Sequence, residues 1–338
     1  MTRADPRLGA VWAERYRLDR AIGSGAMGAV YEAVHPGLGK HVAIKILHAQ
    51  HKGSRDVEAR FEREARAAAT IISDHIVQTF DVGTDEAHGM FLVTELLEGE
   101  DVDARLARER RLDVETAVTI GRQVARGLEK AHAGGIVHRD LKPANVFLTT
   151  RDDGSLLAKI VDFGISKRMH DEPFLVPLTN KGTAVGTPQY MAPEQLTGVS
   201  DIDGRADVWA LGTLMYEMLT GASPFANRRG HLEIMMAIAR EDAMPLRSVA
   251  PWVPHALAEA IDGALVRDRD LRTADVATFG AQLTLATAKR QTAIRGRQSG
   301  TVRRVESSAE ARQSHETLVL GDPDVETQRE PAPGRRRS

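Results

Sequence analysis

The sequence has no cysteine, which excludes disulfide staples, thiolate nucleophiles and cysteine-ligated zinc and fits a reducing compartment. It also has no excess of one charge: 45 Lys and Arg stand against 47 Asp and Glu, a net of -2. Bulk attraction to nucleic acid or to an anionic membrane is therefore not expected, and any catalytic electrostatics must be local. Long hydrophobic runs are missing as well. Nothing approaches the roughly 18 consecutive apolar residues of a membrane span, and Met1 to Trp12 has no apolar core of signal-peptide length. The expectations are a cytoplasmic location, no membrane span and no nucleic-acid partner. What is present is 42% hydrophobic residues in 338, enough to bury a sizeable core in about two domains or one large bilobal unit.

The chain is organised around Ile136-Val137-His138-Arg139-Asp140-Leu141-Lys142-Pro143-Ala144-Asn145. Pro143 rules out a continuing helix, so the segment is a turn. An aspartate, a lysine two residues on and an asparagine five residues on can set a base, a cation and a metal ligand around one reacting phosphate.

Upstream, Tyr16 to Ile22 alternates like a strand, Gly23-Ser24-Gly25-Ala26-Met27-Gly28 turns, and the alternation resumes through Val30 and Tyr31. A dinucleotide-binding glycine turn would open a helix. Between strands, the glycines read either as a flap whose N–H groups approach phosphates or as a plain hairpin. His41 to Leu47 is a β-branched run with Lys45 in its middle, costly in a buried strand unless paired. Asp56 to Ile72 has helical spacing. Ile76 to Phe80 and Met90 to Thr94 read as a hairpin turning at Asp85 to Gly89, and Glu95 to Asp101 breaks the strand pattern at Gly99. A helix over Val114 to Ala133 ends at Gly134-Gly135. Short strands over Val146 to Leu148 and Leu156 to Val161 flank the turn Asp152-Asp153-Gly154 and deliver Asp162-Phe163-Gly164. A segment without periodicity, Met169 to Val185, precedes Gly186-Thr187-Pro188-Gln189-Tyr190-Met191-Ala192-Pro193-Glu194, and an apolar helix follows from Asp207 to about Leu219.

In this order these motifs resemble those of protein kinases, over about residues 16 to 285. The glycine loop, Val42-Ala43-Ile44-Lys45, His-Arg-Asp-Leu-Lys-Pro-x-Asn, Asp-Phe-Gly and Ala-Pro-Glu are all present. The resemblance implies an α+β bilobal protein kinase fold: a leader (1–15), a β-rich small N-lobe with a regulatory helix and hinge (16–97), a mainly helical large C-lobe (98–288) and a disordered C-terminal tail (289–338). It implies ATP and Mg²⁺, with Mn²⁺ as an alternative metal. Asp140 is then the base, Lys142 the phosphoryl-stabilising cation, and Lys45 the phosphate grip held by Glu64, with Glu62 as the rival carboxylate. Asn145 and Asp162 would hold the metal. The nucleotide site would be lined by Ile22, Gly23, Ser24, Gly25, Ala26, Met27, Gly28, Val30, Ala43, Thr94 as gatekeeper, the backbone of Glu95 and Leu97, and Phe147. Asp101 is either a partner of the ribose hydroxyls or a helix N-cap. Asp207 would bond the catalytic-loop backbone, and Arg272 would pair with Glu194.

Lys142 and Gly186-Thr187-Pro188 resemble serine/threonine rather than tyrosine kinases, and the loop details are most similar to the bacterial members. Protein substrates with Ser or Thr acceptors are implied. A pseudokinase would have lost the lysine, base or metal ligand, and a small-molecule phosphotransferase would not need the Gly-Thr-Pro to Ala-Pro-Glu segment. Arg139 beside the base, with Lys167, suggests a basic pocket for a phosphate on Thr179 or Thr183. Beyond Ala288 the chain becomes charged and rich in Ser, Thr and Pro, which predicts disorder. Its apolar island Glu316 to Gly321 is either a meaningless cluster in a linker or, through Thr317 with Leu320, a ligand for a phosphothreonine-reading domain. The sequence carries no signal for or against dimerisation.

Overall fold

The computed structural model describes residue 5 and residues 7–24, 28–47, 55–85, 89–162, 188–198 and 201–286, except the side chains of 55–60 and 64. A six-stranded antiparallel sheet forms the small lobe in the order β1-β2-β3-β4-β6-β5. Its strands are β1 (Val11–Trp12), β2 (Tyr16–Ser24), β3 (Gly28–His35), β4 (Lys40–Leu47), β5 (Thr79–Asp85) and β6 (Gly89–Glu95). Strand periodicity sorts the side chains between two faces. Tyr31, Ile44, Ile46, Phe91 and Val93 fall on one face and pack with Trp12 and Leu18 into a core of the lobe. On the other, Leu47, Met90 and Leu92 pack against Phe61 and Ala65 of helix α1 (Arg55–Ala69). Phe61 and Ala65 lie four residues apart and therefore share one helix face.

The leader takes part in this lobe. Trp12 is fully buried, the Ala13 N–H donates to Asp85 at 3.1 Å, and Tyr31 donates to Asp5 at 2.6 Å. The buried indole joins the small-lobe core, and an aromatic side chain takes a large apolar surface out of water, which favours docking of the leader on the sheet. The first strand of the expected hairpin begins at Thr79 instead of Ile76, because Ile76 forms a parallel bridge to Ile160 in the other lobe.

The large lobe is helical: α2 (Val102–Glu109), α3 (Val114–Ala133), α4 (Pro193–Leu196), α5 (Arg205–Thr220), α6 (His231–Arg240), α7 (Leu246–Val249), α8 (His255–Ala264) and a last helix over 276–286. Helix α5 is apolar nearly all round, which places it inside the core: Trp209, Leu211, Leu214, Met215, Met218 and Leu219 are fully buried. A small sheet, β7-β8-β9, sits where the lobes meet, with β7 (Glu100–Asp101), β8 (Val146–Thr150) and β9 (Leu156–Ile160). Gly99 admits the chain to β7. Its φ is +144°, and a β-carbon there would stand 2.0 Å from the Leu148 carbonyl oxygen. Among the described residues no helix is long and apolar enough to cross a membrane.

Candidate active site

The central turn is held from beneath by one buried carboxylate. Asp207, in the first turn of α5 and fully buried, accepts the N–H groups of His138 and Arg139, each at 2.8 Å, and faces His132 Nε2 at 2.7 Å. Burial opposes charge on Asp207, but the bond from His132, the neighbouring His138 and the backbone donors outweigh it and hold the carboxyl below its ordinary range. To aim two successive N–H groups at one carboxylate, Arg139 adopts φ +64°, a left-handed conformation that costs on the order of 1–3 kcal/mol. Gln195 of α4 donates to the Arg139 carbonyl at 2.9 Å from the other side. Burial depresses the pKa of His138, so the ring is neutral near pH 7. Its Nδ1 accepts the Asp140 N–H at 3.2 Å, which assigns the proton to Nε2, facing the Val161 carbonyl at 3.4 Å.

On this base the reactive side chains converge. Lys142 Nζ lies 2.9 Å from Asp140 Oδ2. Asn145 Nδ2 donates to the Asp140 carbonyl at 2.8 Å, which leaves its amide oxygen as the atom able to bind a cation. The pairing of β8 with β9, extended by the Val161 N–H donating to the Asn145 carbonyl at 2.9 Å, brings Asp162 beside Asn145. Asp162 has φ +57°, a second strained backbone position, and its Oδ1 lies 2.7 Å from Lys45 Nζ of β4. Among the described residues no group of three His, Cys, Asp or Glu could hold a metal by itself. The donors present, one carboxylate and one amide oxygen, are hard ligands that suit Mg²⁺ when substrate phosphates complete its shell.

Above these groups, the register Val30↔Lys45 and Ala43↔Thr94 puts Val30, Ala43, Lys45 and Thr94 on the sheet face opposite the Trp12 core. Ile22 sits at a register shift between Ala21 and Gly23, where a bulge re-aims its side chain. Gly28 allows a close strand approach, since a β-carbon would meet Ile46 O at 2.0 Å. Phe147 lies opposite Asp101 in the small sheet. Asp101 caps α2, its Oδ1 accepting the Ala104 N–H at 2.7 Å.

Residues 16–275 match the model of the protein kinase domain. The chain belongs to the protein kinase family. It is 40% identical over 285 residues to the serine/threonine-protein kinase Pkn1 of Myxococcus xanthus, covering 84% of this chain and 40% of that one. To PknA of Mycobacterium tuberculosis it is 37% identical over 271 residues, 79% of this chain and 60% of that one. The chain thus spans about half the length of these curated relatives. The crystal structure of the M. tuberculosis PknI kinase domain aligns with TM-score 0.65 and 27% identity, covering 83% of this chain and 98% of that one.

Within this protein kinase domain, Asp140, Lys142 and Asn145 come together on the central turn, and Lys45 meets Asp162. Glu62 pairs with Arg66 on the same helix at 2.5 Å; the Glu64 side chain lies outside the described residues, as do Gly25, Ala26, Met27, Lys167, Thr179, Thr183 and Thr317. Arg139 donates to the Ile202 carbonyl at 3.2 Å. The expected Glu194–Arg272 pair is present, bidentate at 2.8 and 2.9 Å. Sequence reasoning missed His132 and Gln195 as supports of the loop. Their only signal was a polar residue in an otherwise apolar or turn context, which ordinary solvated side chains also give.

Proposed function

We propose that the chain is an ATP-dependent serine/threonine protein kinase that transfers the γ-phosphoryl group to protein hydroxyls. The observation that carries this reading is the pairing of Asp140 with Lys142 at 2.9 Å, beside Lys45 and Asp162 at 2.7 Å, on one rigid loop-and-strand scaffold. Asp140 orients the acceptor hydroxyl and takes its proton. Lys142, next to it, stabilises charge on the transferring phosphoryl, and Lys45 grips the more distant phosphates. Mg²⁺, when bound, neutralises the phosphate oxygens and fixes their orientation; Asn145 and Asp162 would hold it. Val30, Ala43 and Phe147 enclose the base, Thr94 lines the back of the site, and the backbone of Glu95 and Leu97 takes the adenine edge. Capping uses only Asp101 Oδ1, so Oδ2 can still meet the ribose. Glu64 is the partner proposed for Lys45 in the productive state.

Similarity to PknA and Pkn1, both serine/threonine-protein kinases by name, supports serine and threonine as acceptors. Autophosphorylation on Thr179, with Thr183 as second candidate, would give Arg139 and Lys167 an anion to bind. A kinase assay with ATP, Mg²⁺ and a generic basic protein tests the reading. Wild type should label the acceptor on Ser or Thr, and Asp140→Asn should not. Equal labelling by the two would sink the assignment.

A further inference from the structure

Two ion pairs of opposite sense cross between the small-lobe sheet and the strand that carries the metal aspartate. Lys45 of β4 reaches Asp162 at 2.7 Å, and Glu95, at the end of β6, is reached by Lys159 of β9 at 2.6 Å. Strands β4 and β6 are neighbours, and Lys159 lies three residues before Asp162, so the pairs form a two-point clasp. The Glu95 end is unusually fixed. The same Oε1 accepts the Gln78 N–H at 2.7 Å, while the Glu95 N–H donates to the Gln78 carbonyl at 2.9 Å. The Lys159 end sits opposite Phe147, which in turn lies opposite Asp101. With side chains only 13% and 23% exposed, the pair is shielded more than an ordinary surface bridge, whose contribution is small.

We propose that Glu95 and Lys159 are positioning residues that set the separation between the adenine-binding backbone and the metal-binding aspartate. The inference rests on the ATP reading above. Adenine and the terminal phosphates are the two ends of one ligand, so its affinity depends on holding both anchors at a matched distance. Glu95 carries the first anchor on its own main chain. Lys159 sits on the short strand that ends at the second. Neither side chain belongs to the groups proposed to meet the acceptor hydroxyl, Asp140 and Lys142, so the pair should act on nucleotide and not on acceptor.

The test is a double-mutant cycle on the full chain: Glu95→Gln, Lys159→Met and the two combined, with Lys159→Arg as conservative variant. Nucleotide affinity is measured by calorimetry with ADP and Mg²⁺, and KM is measured for ATP and for acceptor. Each single variant should weaken ADP binding and raise the KM for ATP by about threefold to tenfold. The double variant should be no worse than either single, the acceptor KM should stay constant, and Lys159→Arg should remain near wild type. Multiplying losses in the double variant, unchanged nucleotide affinity, or a higher turnover at unchanged affinity would overturn the proposal. Loss of cooperative thermal unfolding in Lys159→Arg and Glu95→Gln alike would make the pair a folding element and overturn it too. If wild type itself neither bound ADP nor transferred phosphate, the functional reading would fall first. A working wild type with working variants removes only the clasp.

Discussion

Arg272 shows how much can rest on one side chain. Its Nε donates to the Val266 carbonyl, its two terminal nitrogens hold Glu194, and their remaining hydrogens reach the Arg205 and Arg267 carbonyls. All five N–H donors are used, and the side chain is 0% exposed. Removing one partner of such a buried pair strands the other charge without water, so Arg272→Ala should lower unfolding free energy by roughly 3–5 kcal/mol, read from urea denaturation. A loss below about 1 kcal/mol would mean that Glu194 finds solvent or another cation. Lys45 and Asp162 should behave differently, because Asp162 is 44% exposed and the role proposed for the two is to meet phosphate and metal instead of to hold the core. Lys45→Met and Asp162→Asn should each reduce kcat/KM by about 10²-fold or more while leaving the melting temperature within a few degrees. Near-wild-type turnover in either would refute the assignment of that residue.

At the scale of elements, β9 is an edge strand completed by side chains. Gln123 of α3 donates to the Leu156 carbonyl at 2.9 Å and accepts the Ala158 N–H at 2.6 Å, as a neighbouring strand would. Gln123→Leu leaves both backbone groups unpaired and should cost about 1–3 kcal/mol, measurable in the same denaturation experiment, with faster hydrogen exchange along β9. On β6, Thr94 stands opposite Ala43, two small side chains at the back of the proposed nucleotide site. Thr94→Met should abolish binding of inhibitors with bulky back-pocket groups, and unchanged affinity would place the gatekeeper elsewhere. The contrast between these elements explains what the sequence could convey. The span Val114–Ala133 and the strands around Asp152 and Asp153 were legible because local spacing, caps and turn residues decide them. So was the cluster of Asp140, Lys142 and Asn145, which lies within six consecutive residues. The leader strand, the bridge of Ile76 to Ile160 and the support of His132 beneath the loop were not legible, because each depends on a partner far along the chain. Gln123 and Lys159 look in sequence like solvated polar positions, and only the fold reveals the backbone or carboxylate that each faces.

At the scale of the whole molecule, two buried histidines among the described residues predict a response to mild acid. Burial depresses the pKa of His138 beneath the catalytic loop and of His75 against β9, whose Nδ1 lies 3.2 Å from the Ala158 carbonyl. Below the ordinary imidazole value of about 6.5 the unfolded chain takes up protons that the folded chain resists, so stability is complete above that pH and is lost as pH falls toward the folded values. Glu217 and Asp262 work the other way, since burial raises both carboxyls, but their gain arrives nearer the acid range of ordinary carboxylates. The melting temperature should therefore fall between about pH 6.5 and 5.5, by an amount equivalent to about 1.4 kcal/mol for each pKa unit of depression. His75→Gln, which removes one of the two groups but can still donate to Ala158, should flatten that slope. Turnover should decline over the same interval for a second reason: protonated His138 Nδ1 can no longer accept the Asp140 N–H, and the loop that carries Asp140, the proposed base, loses one of its supports. A melting temperature that stays flat from pH 7.5 to 5.5, or a slope unaltered in His75→Gln, would show that these imidazoles gain access to water before they charge.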